Sequence, residues 1–218
     1  MSWTIKPPED PAKRKAFDDA IHHALNTRGM LVFCAASDRG QSADLTYPHG
    51  SNANSFRIGA AKATGSMSEA VGDAHKLSFL FPGHEVVIGD GAYDDVYDKG
   101  FGKFEAHSGS SVANALAVGL AALVIECVRL GVFYTSETNQ LDPAVAIRKS
   151  DHARIRNREQ MQYAFTSIGT NRNTDHMYIE VWNTFTAIAE SLKQNEGARI
   201  SQLEIIAGLA RLFLRKVG

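Results

Sequence analysis

The stretch Ser108-Gly109-Ser110-Ser111-Val112-Ala113-Asn114-Ala115 opens a run of small and apolar residues, Leu116-Ala117-Val118-Gly119-Leu120-Ala121-Ala122-Leu123. At the start of a helix the first backbone N–H groups lack intrahelical partners, and the positive end of the helix dipole lies behind them. A serine in that position has two uses. Its hydroxyl can attack a carbonyl carbon while its own N–H donates to the oxyanion that develops. Taken by itself, the stretch reads more readily as a helix cap, because serine is among the commonest N-caps. Ser111 is the candidate nucleophile, and His107 is the only histidine within a few residues of it. His107 falls on the segment entering the helix, where it is a poor base. His49 and His84 read as loop and strand-edge residues, and the Asp151-His152 pair lies in a polar stretch where a solvated role is expected.

Several elements must carry these groups. Phe17, Ala20, Ile21, Ala24 and Leu25 recur at helical spacing, so residues 12–27 are expected to form an amphipathic helix that closes near Gly29. Met30 to Ala36 is a continuous apolar run of strand length, the pattern of a parallel strand covered on both faces. Phe56 to Ala61, Leu77 to Phe81 and Glu85 to Ile88 read as further short strands. Ser111 to about Leu130 is apolar on nearly every side and is expected as a helix buried in the core. Ser136 to Arg158 is polar and charged, with amphipathic helices expected over 177–193 and 200–216. The fold class is therefore α/β: a parallel-sheet core over 1–134, then a helical extension over 135–218.

Taken in order, these segments resemble the subtilase family of serine proteases. Gly109, Ser110, Ser111, Val112 and Ala113 match the nucleophile motif Gly-Thr-Ser-x-Ala-x-Pro, with Ala115 in place of the usual Pro and Leu116 in place of the usual His that follows it. Met30 to Gly40 resembles the strand that ends Ala-Ala-Gly-Asn-x-Gly. Tyr47-Pro48 and then Phe56-Arg57-Ile58-Gly59-Ala60 resemble the Tyr-Pro and Val-x-x-Val-Gly-Ala that follow it, and Phe81-Pro82-Gly83-His84-Glu85-Val86 resembles Ala-Pro-Gly-x-x-Ile. Met1-Ser2-Trp3-Thr4 resembles Asn-Met-Ser-x-Gly. The resemblance runs from Met1 to about Gly131 and corresponds to the C-terminal half of a subtilisin-like domain.

The resemblance implies site roles. Ser111 would be the nucleophile. Ser2, Trp3 and Thr4 would form one wall of the S1 pocket, and Ala35, Ala36 and Ser37 the other, unless both are simply buried strand. The Tyr47-Pro48 bond would be cis. Asp38 stands where the family has an Asn that donates to the oxyanion, a contact whose loss costs roughly 10² to 10³ in rate. A carboxylate is an acceptor only, so Asp38 helps there only when protonated or replaced by a water, although some subtilases use Asp at this point.

Subtilases place their triad in the order Asp, His, Ser, and both partners precede the strand at which this sequence begins. The chain is therefore expected to be a truncated or incomplete serine endopeptidase, acting by acyl transfer through Ser111 and inactive alone. Its missing partner would be the N-terminal half of the domain, and its substrate a peptide or protein. Two other readings stand beside it: a pseudoprotease that binds peptides or regulates without turnover, and a scaffold whose C-terminal helices mediate assembly.

Composition excludes little but is consistent. The 218 residues are 44% hydrophobic and 22% charged with a formal net charge of −1, ordinary globular statistics without a global pull to nucleic acid or membrane. Cys34 and Cys127 each sit in an apolar run, as buried free thiols do. The first ten residues lack the pattern of a signal peptide, and a cytoplasmic location is expected. No cofactor is expected. Asp90, Asp94, Asp95 and Asp98 could hold calcium, which many subtilases bind, but a solvated acidic loop is the simpler reading. Arg148, Lys149, Arg154, Arg156 and Arg158 read as a solvated face, or as contacts to a phosphate or acidic partner.

Overall fold

The computed structural model describes residues 1, 5–40, 46–48, 54–87, 106–170 and 177–214. The chain opens with helix α1 (Pro11–His22), which has Pro at its start and an Asp10 side chain accepting from the Ala12 N–H at 2.8 Å. A π-helical turn, His23–Thr27, ends it, and Gly29 turns the chain at φ 59°. This is the expected helix over 12–27, with its last turn widened. Only Ile21 of α1 is buried, so the helix lies on the outside of the molecule.

Strands β1 (Phe33–Ala35), β2 (Phe56–Ala61) and β3 (Phe79–Pro82) form a parallel sheet in that order, Phe33 opposite Phe56 and Ile58 opposite Phe79. All six residues of β2 are buried, as a central parallel strand covered on both faces requires. The short antiparallel pair β4 (Val86–Val87) and β5 (Ala106–His107) follows, and the Tyr47-Pro48 bond is cis. Against the sheet lies α2 (Ser110–Glu137), longer than expected at 28 residues. Ala113, Ala117, Val124 and Val128 are fully buried along it, and the small residues near its start let it lie close to the strands.

Beyond α2 come α3 (Lys149–Arg154), α4 (Arg158–Ile168), α5 (Val181–Gln194) and α6 (Arg199–Phe213). The polar, charged stretch ending at Arg158 thus carries α3 and leads directly into α4, a helix the sequence reading does not assign. Met161, Ala164, Phe165 and Ile168 line its inner face at helical spacing, and the Asn157 side chain caps it by accepting from the Gln160 N–H at 2.8 Å. The Phe165 ring meets Phe33, Phe56, Phe79 and Phe81 with centroids 5.3 to 6.2 Å away, at the centre of the apolar cluster. Helix α6 packs on α2 through small residues. A Cβ on Gly131 would sit 3.3 Å from the Ala210 Cβ of α6 and 2.5 Å from Ile147 Cδ1, so the glycine lets α6 and the Ile147 side chain pack closely on α2. The Gln160 side chain ties α4 to the end of α6 by donating to the Phe213 carbonyl at 2.8 Å. One continuous hydrophobic cluster therefore joins the sheet, α2 and the later helices.

Candidate active site

The site is built from the ends of three elements. After β3 the chain turns at Gly83, whose N–H donates to the Ala61 carbonyl at 3.0 Å and whose carbonyl accepts from the Gly109 N–H at 2.7 Å. A Cβ at Gly83 would lie 2.7 Å from the Ala60 Cβ, 2.9 Å from the Gly109 carbonyl oxygen and 3.0 Å from the Ala113 Cβ. Glycine is what lets this turn sit under the start of α2. Gly109 is the residue before the helix, at φ 133° and ψ 158°, a backbone shape that side-chain-bearing residues rarely adopt.

The two serines after Gly109 face different ways. Ser110 is fully buried: its N–H donates to Asp38 Oδ2 at 2.8 Å, its hydroxyl donates to Asp38 Oδ1 at 2.6 Å, and its Oγ accepts from the Ala60 N–H at 3.2 Å. Every polar atom it brings to the site is used. Ser111, one residue on, is partly exposed, and among the described residues neither its N–H nor its Oγ has a hydrogen-bond partner. An ideal Cβ on Gly109 would sit 3.1 Å from Asp38 Oδ2 and 3.5 Å from Ser111 Oγ, so the two groups flank one point beside the Gly109 backbone.

Asn114, one turn further along and buried, donates from Nδ2 to the Met1 carbonyl at 3.2 Å. Met1 runs beside β1: its amino group donates to the Phe33 carbonyl, and its carbonyl also accepts from the Ala35 N–H at 3.1 Å. Ala35, Ala36 and Ser37 are buried, the Ala36 N–H donating to the Ile58 carbonyl at 2.8 Å and the Ser37 carbonyl accepting from the Gly72 N–H at 3.1 Å. The structure therefore brings Ser111, Asp38, Ala35, Ala36 and Ser37 to the carboxyl end of β1 and the amino end of α2. Ser2, Trp3 and Thr4, the facing wall, lie outside the described residues, as do His49 and the loop with Asp90, Asp94, Asp95 and Asp98. Ser110 and Asn114 are the contacts that motif reading did not single out. Ser110 stood in the nucleophile motif, but nothing in a Ser-Ser pair says which hydroxyl turns inward.

No histidine among the described residues is hydrogen-bonded to Ser111. His107 is exposed on β5, paired through its backbone with Val86. The His152 Nε2 lies 3.3 Å from Arg156, and burial, Arg156 and Arg129 hold its pKa below the usual imidazole value. Among the described residues no group of three or more His, Cys, Asp or Glu is placed to hold a metal ion.

A parallel sheet with a partly exposed serine at the amino end of the helix packed against it is an arrangement in which a serine can act as a nucleophile. The subtilase family profile matches residues 1–150, and the chain belongs to that family of serine proteases. No curated protein matches the sequence. Among solved structures the prenylagaramide maturation protease PagA is similar at 13% identity and a TM-score of 0.49, with 83% of this chain and 57% of that one covered. The chain thus spans little more than half the length of that structure.

Proposed function

We propose that the chain is the nucleophile-bearing part of a subtilisin-like serine endopeptidase and is silent as a peptidase on its own. The observation that carries this reading is Ser111, whose Oγ and N–H have no hydrogen-bond partner among the described residues, at the amino end of α2 beside Asp38. In the reaction, Ser111 Oγ adds to the scissile carbonyl carbon, its proton passes to a base, and the oxyanion is held by the Ser111 N–H. The C–N bond then breaks, the amine leaves with the proton, and water releases the acyl group. The base is to come from a polypeptide segment bearing the family's Asp and His. Without it, the remaining groups supply roughly 10³ to 10⁴ over water at best.

A second reading, a pseudoprotease that binds peptides, is favoured by one observation: the group beside the nucleophile is a carboxylate, which repels an oxyanion. Fluorophosphonate labelling of the purified chain, with and without imidazole as an external base, separates the two. Slow labelling that imidazole accelerates, confined to one site and absent in Ser111→Ala, is expected of the peptidase half. Equal labelling of Ser111→Ala, or no response to imidazole, overturns Ser111 as nucleophile. Efficient labelling or peptide turnover without imidazole overturns the proposal that the chain is silent alone, and His107 is then the first residue to replace.

A further inference from the structure

The Asp38 carboxylate has both oxygens committed to one residue, Oδ2 to the Ser110 N–H and Oδ1 to the Ser110 hydroxyl. Ser110 passes that grip on, since its Oγ also accepts from the Ala60 N–H of β2. The grip lies against bare backbone, because a Cβ on Gly109 would come within 3.1 Å of Oδ2. No hydrogen bond joins Asp38 to Ser111. The Ser110 hydroxyl proton is spent on Asp38, so Ser110 has no donor left for a substrate oxygen. A carboxylate accepting from the first turn of a helix is also well placed against the helix dipole.

Resting on the reading of Ser111 as nucleophile, we infer that Asp38 is a positioning residue that acts through Ser110. It fixes the first turn of α2 to β2 and so sets the directions of the Ser111 Oγ and N–H, and the oxyanion falls to backbone N–H groups. This reverses the sign expected from Asp38 as a member of the oxyanion hole. A carboxylate that only opposes the oxyanion is better removed, whereas one that aims the nucleophile is not.

The test compares the full chain with Asp38→Ala, Asp38→Asn, Ser110→Ala and the Asp38→Ala/Ser110→Ala double variant. It reads imidazole-assisted labelling of Ser111 by a fluorophosphonate and amide hydrogen exchange. Asp38→Ala is expected to slow labelling about tenfold, the scale of one lost hydrogen bond to a charged group. Ser110→Ala should slow it comparably, and the double variant no more than the worse single one, because the two act as one unit. Asp38→Asn keeps an acceptor for the Ser110 N–H and adds a donor, so it should label at or above the wild-type rate. Exchange protection of the Ser110 N–H should fall about tenfold in Asp38→Ala, with that of Val124 and Val128 unchanged.

Labelling of Asp38→Ala as fast as wild type or faster, additive losses in the double variant, or loss of protection along all of α2 would each overturn the inference. If Ser111 labels in none of these proteins, the peptidase reading fails and exchange alone decides the positioning role. Unchanged Ser110 protection in Asp38→Ala then refutes it.

Discussion

Gly109 concentrates two demands on one residue, a φ of 133° and a tight approach to Asp38 Oδ2, 3.1 Å from where a Cβ would lie. Gly109→Ala is therefore expected to cost about 1 to 3 kcal/mol in chemical denaturation and to lower Ser111 labelling, since the helix start must shift. The thiols give a residue-scale test of a different kind. Burial, and then Glu126, push the Cys127 thiol from 9.0 up to about 11, and burial raises Cys34 as well. Both should resist alkylation at pH 8 until the chain is unfolded, followed by thiol titration with and without denaturant. Because the folded chain holds the Cys127 proton more tightly than the unfolded one, this contribution to stability is complete below pH 9 and is lost as pH rises toward 11. Cys127→Ala should show a correspondingly smaller alkaline loss of stability. At this scale motif order picked out Ser111 and Asp38 as candidates, and the structure places both beside the Gly109 backbone. The motifs did not show that Asp38 reaches Ser110, since hydrogen-bond direction depends on how α2 is seated against β2.

At the scale of elements, the parallel strands and α2 were legible because each is mostly apolar along its length, while α4 was not. Its four inward residues, Met161, Ala164, Phe165 and Ile168, are separated by Gln162, Tyr163, Thr166 and Ser167, and it follows the charged run ending at Arg158. The period is there, but a moderately polar helix beside a charged stretch reads as connector until its packing is known. Two substitutions test how much α4 matters. Phe165→Ala empties the position that four phenylalanine rings surround and should cost about 3 to 5 kcal/mol in urea unfolding. Asn157→Ala removes only the cap and should cost about 1 kcal/mol. A cost for Phe165→Ala no larger than that for Asn157→Ala would mean α4 is not held as described.

For the whole molecule, the single hydrophobic cluster predicts one unfolding transition. Fluorescence of Trp182 on α5 and far-ultraviolet circular dichroism should lose their native signals together, whereas a separable extension over 135–218 would give two midpoints. The outer side of α2 predicts a surface property. Leu116 and Leu123 are 44% and 45% exposed beside a groove of about 450 Å³ that Phe81, Ile179 and Phe185 also line. Replacing both leucines by serine should reduce binding of an apolar dye while changing stability by no more than about 0.5 kcal/mol each. The family match stops at residue 150, yet Ile155, Met161, Phe165 and Phe213 lie inside the same core as the strands before it. Kinship and architecture thus part company along this chain. A transplant of residues 1–150 between family members would hand the α4 ring of Phe165 a socket cut for some other plug, so any workable exchange has to move the later helices along with the sheet they close.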